Sequence, residues 1–151
     1  ASAQYLKVLA VAPNYPWALN QLGGSYMNTG RIKEAVDVLE RAVVASKDNP
    51  AMLGSLGEAY ALAGRRVEAK RLLARLGRMS TERYVTPMAR ASICLGLGDT
   101  DCYFRCLERA FEERSNYVAY LSVAPSPKLY PGVRGDPRFQ EMLRRLGYER
   151  N

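Results

Sequence analysis

Apolar and small residues recur along the first half of this chain at helical rather than strand spacing. Leu19, Leu22, Gly23 and Tyr26 fall at i, i+3, i+4 and i+7, and Leu53, Leu56, Gly57 and Tyr60 repeat the series. Behind each series comes a second stripe, Ala35, Val38, Leu39 and Ala42 in one case and Ala69, Leu72, Leu73 and Leu76 in the other. These stripes predict helices over about Pro16–Thr29, Arg31–Ser46, Pro50–Ala63 and Arg66–Arg78. The punctuation agrees with them. Gly30 and Gly64 stand between the paired helices, where a left-handed C-cap favours glycine. Asn49 at N-cap and Pro50 at N1 suit a helix start, and Ser80 or Thr81 is placed to cap the helix that follows.

The two hairpins are one pattern written twice. Placing Pro16–Asn49 over Pro50–Arg83 pairs Leu19 with Leu53, Gly23 with Gly57, Tyr26 with Tyr60, Gly30 with Gly64, Glu34 with Glu68 and Ala35 with Ala69, a constant offset of 34. Leu-Gly-x-x-Tyr in the first helix, Gly at the turn and Glu-Ala then Leu in the second resemble the tetratricopeptide repeat. That resemblance implies an all-α, right-handed α-solenoid of helical hairpins. Gly23 and Gly57 each cost a helix about 1 kcal/mol relative to alanine. Their recurrence predicts that the two helices of each hairpin nearly touch, opposite Ala35 and Ala69.

Extended along the chain, the period divides it into a half repeat at 1–13, repeats at 16–49 and 50–83, and a divergent third repeat at 84–117. In the half repeat Tyr5 and Val8 take the register of Leu39 and Ala42. In the third repeat Gly98 follows Gly64 and Leu107 follows Leu73 by the same offset, while Cys94 replaces the tyrosine and Tyr103 replaces the small Ala69. The exchange reads as a compensating volume swap. Residues 118–151 read as a short helix, a loop and a capping helix. Asn116 caps a helix carrying Tyr117, Tyr120 and Leu121; Pro125 and Pro127 stop it; Ser122–Gly135 forms an ordered loop over the end of the array. Asp136 and Pro137 then start a helix with the apolar stripe Phe139, Met142, Leu143 and Leu146, ending at Gly147.

Starting inside a repeat, the sequence is expected to be a fragment of a longer protein. The run from Asp136 to Gly147 is similar to the C-terminal end of bacterial multidomain proteins. In those, a tetratricopeptide array follows a winged-helix, nucleotide cyclase or serine/threonine kinase domain. This resemblance implies a module of a bacterial signalling or transcription regulator.

Charge changes the picture little. The net +7 gathers in residues 50–83, with seven basic and three acidic residues, and in 115–151, with six and three. Lys70, Arg71, Arg75 and Arg78 lie on one helix with no interleaved aromatic residues, as base stacking would need, so the expectation is a solvated face. A nucleic-acid surface at Arg65–Arg78 remains the least favoured reading. The chain holds no histidine, which removes Ser–His and Cys–His nucleophile pairs and His-containing metal sites. Cys94, Cys102 and Cys106 lack a fourth ligand and read as small buried residues. No glycine-rich phosphate loop occurs, and the carboxylate neighbours Glu112–Glu113 and Asp99/Asp101 read as helix surface and N-cap. No enzyme, cofactor or metal is expected. The longest apolar runs fall short of the roughly 18–20 residues of a membrane span. The odd cysteine count predicts a reducing compartment, and the cytoplasm is the expected location.

In tetratricopeptide arrays the first helices line the concave surface. Carried over by register, the groove positions are Trp17, Asn20, Gly24, Met27 and Asn28, then Ala51, Gly54, Glu58, Ala61 and Leu62, then Val85, Met88, Ser92, Leu95 and Gly96. Trp17, Asn20, Met27, Asn28, Glu58, Leu62, Met88, Ser92 and Leu95 form the expected partner-binding set. This mostly small, apolar groove with two methionines suits an amphipathic helix or an extended peptide. The groove lysine of chaperone-tail clamps is missing. The expected function is a non-catalytic protein-interaction scaffold. Self-association through the half repeat is the alternative, and occupation of the groove by the chain's own tail is left open.

Overall fold

The computed structural model describes residues 2–113 and 126–145. Its elements are α1 (Ser2–Val11), α2 (Pro16–Asn28), α3 (Ile32–Ala45), α4 (Pro50–Leu62), α5 (Arg66–Met79), α6 (Pro87–Leu97), α7 (Thr100–Glu112), α8 (Pro131–Arg134) and α9 (Pro137–Arg145). Helices are the only regular elements among the described residues. They pack as sequential hairpins: α2 with α3, α4 with α5, and α6 with α7. Asn116, Tyr117, Tyr120, Leu121, Pro125, Leu146 and Gly147, on which part of the tail reading rested, lie outside the described residues.

The three turn glycines mark equivalent bends. Gly30, Gly64 and Gly98 have φ of 79°, 82° and 76°, a left-handed conformation open to glycine at little cost. At each the chain closes alike. Arg31 N–H donates to Tyr26 O and Arg65 N–H to Tyr60 O, both at 2.8 Å, and Asp99 N–H donates to Cys94 O at 3.0 Å. In the first two hairpins the guanidinium then lies 4.4 Å above the ring of the same tyrosine and pairs with Glu34 or Glu68. Tyrosine, glycine, arginine and glutamate thus form one corner built twice. The third hairpin has cysteine and aspartate at the corner's ends and keeps only the backbone bonds. Its helix α7 starts instead on the Asp99 carboxylate, which accepts from Cys102 N at 3.0 Å.

The first helix of the third hairpin is shorter than the period predicts. Ser80 and Thr81 do not cap it; their hydroxyls donate back to Gly77 O and Arg78 O and finish α5. The chain then runs without helix through residues 84–86, and α6 starts at Pro87, with Thr86 as its N-cap.

The close packing expected at the mid-helix glycines has a different partner in each hairpin. A Cβ on Gly23 would meet the Leu39 side chain of α3 at 2.5 Å, so this glycine does admit the second helix of its own hairpin, at Leu39 rather than at Ala35. A Cβ on Gly57 would meet Ile93 of α6 at 2.5 Å, so this one faces the next hairpin. Gly54 lies against the Ala89 backbone, and Gly96 of α6 against Glu58 and Ala61 of α4. Small residues on both helices therefore let α4 and α6 approach closely. Larger residues fill the space behind them. Leu19, Leu39, Met52, Leu53, Leu76 and Ile93 are at or near zero exposure, each contributing about 1.5–3 kcal/mol by burial.

A second cluster forms around Tyr103, Phe104, Leu107, Phe139 and Met142. It contains both halves of the predicted volume swap, Cys94 at the tyrosine position and Tyr103 at the Ala69 position, together with Ala91, all three fully buried. Helix α9 closes this cluster with Phe139 and Met142, and its start is capped by Asp136, which accepts from Arg138 N at 2.8 Å. The predicted loop contains one short helix, α8. Leu129 and Tyr130 do not lie over the end of the array; they reach back to the core between the first helices. In α1 the contact stripe is Tyr5 with Leu9, whereas Val8 is 41% exposed.

Candidate concave groove

Helices α2, α4 and α6 turn one face each toward a common cavity of about 280 Å³. Among the predicted positions, Asn20, Gly24, Met27, Asn28, Glu58, Met88, Ser92 and Leu95 line it. Helical register explains this: Asn20, Gly24, Met27 and Asn28 recur at three- and four-residue steps on α2, so they share one face. Trp17 and Leu62 do not line the cavity. Trp17 is 47% exposed, and Leu62 is half-buried against the hydrophobic core. Gly54, Ala61 and Gly96 are used up in the α4–α6 contact. Ala51 is half-buried outside the cavity, and Val85 is buried ahead of α6.

Register alone did not point to Gln21, Ser55, Ala91, Tyr103, Ser126, Leu129 and Tyr130, which complete the wall. Tyr103 comes from α7, a second helix, which the carry-over excluded; its misfit size at a small position was the available signal. Ser126, Leu129 and Tyr130 come from the returning tail. Tyr130 donates its hydroxyl to Glu58 Oε2 at 2.5 Å. The open question of the tail is thereby answered in part: it fills one side of the groove and leaves a cavity beside it.

Electrostatically the cavity is unusual for an interior. Burial pushes the Glu58 carboxyl from 4.5 up to about 7, with the Tyr130 hydrogen bond pulling the other way. Burial and the Glu58 charge raise both Tyr103 and Tyr130, so both phenols stay protonated. Two buried polar atoms on this wall, Asn20 Oδ1 and the Tyr103 hydroxyl, have no hydrogen-bond partner. Each such atom costs about 1–3 kcal/mol when left unpaired. Among the described residues that line it there is no lysine or arginine.

Elsewhere the chemistry is quieter. Cys94 and Cys102 form a disulfide between α6 and α7, where three separate thiols were expected. The three sulfurs lie within 4.8 Å of one another, but with the disulfide closed only Cys106 keeps a thiol, and burial raises it. A larger hollow of about 1030 Å³ runs between α7 and α9. It is an open trough of mixed charge, bridged by Arg138–Asp101 at 2.6 Å, while Arg145 joins Glu108 of α7 at 2.7 Å. On the basic helix α5 and its N-cap, Arg65 pairs with Glu68, Arg75 with Asp48, and Arg66 with Leu97 O.

Residues 50–75, covering α4 and most of α5, match the family model described as Tetratricopeptide repeat. Repeats of this kind generally serve protein–protein interaction, and no catalytic domain is evident. No curated protein and no solved structure matches the chain. No helix among the described residues is long and apolar enough to cross a membrane.

Proposed function

We propose that this chain is a non-catalytic protein-interaction scaffold that holds a peptide or helix in its concave groove. Asn20, Met27, Asn28, Glu58, Met88, Ser92 and Leu95 are the contact residues, with Trp17 and Leu62 at the margins. The observation that carries this reading is the cavity at the meeting of three first helices, whose wall holds two buried polar atoms without partners. Buried polar atoms are mostly paired in folded proteins, so two unpaired ones on a single wall favour a bound partner there. The similarity of the stretch from Asp136 onward to the ends of bacterial multidomain proteins supports a module of a larger bacterial regulator. The test is a peptide-array screen of the full-length protein, followed by titration against Met88→Glu and Ser92→Trp. Peptide binding that both variants abolish is expected; binding that survives both removes the groove from the proposal.

Self-association is the second reading, favoured by the apolar face at the first helix. Leu6, Val8 and Val11 of α1 are 49%, 41% and 88% exposed, beside Tyr15 and Trp17 at 48% and 47%. Light scattering discriminates. A monomer at every concentration removes it.

A further inference from the structure

Within the groove the unpaired atoms and the carboxylate belong to one cavity, and together they define a chemistry. We infer that the cavity receives the ammonium group of a lysine side chain carried by the bound peptide, with Glu58 as counter-ion and Asn20 and Tyr103 as further partners. This rests on the groove being a peptide site.

An ammonium has three donors and no acceptor. Asn20 Oδ1 is an acceptor only, and the Tyr103 oxygen accepts as well as donates. Glu58 offers about four lone-pair sites, of which the Tyr130 hydroxyl takes one. Ser55 and Ser92, which line the cavity, donate their protons to Ala51 O and Met88 O, so what their hydroxyls have left to offer is lone pairs. The wall also carries the amide donors of Asn20, Gln21 and Asn28, but the charged group among its described residues is the Glu58 carboxylate, the complement of a cation. Met27 and Met88 line the same space and suit the methylene stem. An anion would meet Glu58 with no basic side chain among the described lining residues to offset it. The groups facing Glu58 are Tyr130 from the tail and Tyr103 from α7. Arg134 of α8 acts on Tyr103 from outside the lining. It biases the site against a cation without reaching the carboxylate's own shell.

Because Glu58 titrates near pH 7, the site is charged above neutrality and neutral below it. Binding should tighten with rising pH and release a proton as it does.

The experiment selects peptides from a random display library on the intact protein at pH 8 and titrates the best one calorimetrically. A lysine common to the selected peptides is expected. Replacing it with norleucine, which keeps the stem and removes the charge, should weaken binding at least tenfold. Glu58→Gln should do the same, and wild-type affinity should fall about tenfold from pH 8 to pH 6, following the ionised fraction of Glu58. Tyr103→Phe, which removes only the hydroxyl, should weaken binding severalfold in a protein whose thermal melt is intact. Peptides that bind without lysine, with Glu58→Gln equally tight, overturn the ammonium site and leave the groove standing. A parallel arm titrates n-butylammonium and follows resonances of Ser92 and Tyr103. Shifts there in the wild type but not in Glu58→Gln, with no peptide selected, keep the ammonium site and remove the peptide reading. No peptide and no shift overturn both.

Discussion

A Cβ added at Gly54 would lie 2.6 Å from the carbonyl oxygen of Ala89 and 2.8 Å from its Cα. The obstacle is backbone, which no change of rotamer can move. Gly54→Ala is therefore expected to destabilise by about 2–3 kcal/mol in chemical denaturation, as overpacking does. Gly24, on the groove face of α2, has open space where its Cβ would be. Gly24→Ala should stabilise by up to about 1 kcal/mol through helix propensity alone. Glu58 makes a different prediction. In the fold it holds its proton up to about pH 7, whereas the unfolded chain loses it near 4.5. Between these values the folded state binds more protons, so stability falls as pH rises through the interval and levels off above it. Glu58 as a whole residue is half-buried, which holds the drop to on the order of 2 kcal/mol. Denaturation curves at pH 4.5 and pH 8 should show it, and Glu58→Gln should remove it.

At the scale of elements, repetition and its lapses carry the meaning. The corner of Tyr60, Gly64, Arg65 and Glu68 copies that of Tyr26, Gly30, Arg31 and Glu34, and both place a guanidinium over a ring. The turn between α3 and α4 solves its problem without glycine. Lys47 and Asp48 have φ of 55° and 62°, and Asp48 is held by Arg75 at 2.7 Å. Of the two left-handed residues Asp48 has its side chain held by Arg75, so Lys47→Gly is the substitution expected to relieve strain, raising stability by about 1 kcal/mol; a melting temperature that drops would refute this. Helix α9 depends on its start. Asp136 accepts from the Arg138 backbone at 2.8 Å and pairs with its side chain at 3.0 Å. Asp136→Ala should cost about 1–2 kcal/mol in denaturant titration.

Across the whole molecule two cores are joined by one seam. The first spans α2 to α6, the second belongs to α6, α7 and the tail, and α6 serves both. Phe139, 1% exposed, seals the second core from α9. Phe139→Ala should cost about 3–5 kcal/mol, and hydrogen exchange should locate the lost protection in α6 and α7 before α2 to α5. The periodicity at 34 residues sets the helices, the turn glycines and the face each first helix turns inward, because these depend on neighbours three and four residues away and on the adjacent hairpin. The third hairpin was legible only where the lettering survived, at Gly98 and Leu107; its late start at Pro87 follows from Ser80 and Thr81 bonding backward. Which neighbour a packing glycine admits was not legible, since Gly23 and Gly57 are identical in register and differ only in what arrives opposite them. Nor was the tail's return, because Tyr130 meets Glu58 across 72 residues of chain. Local pattern fixes what repeats; the occupant of the groove depends on a contact that has no local signature, and only the folded chain brings carboxylate, phenol and unpaired amide to one wall.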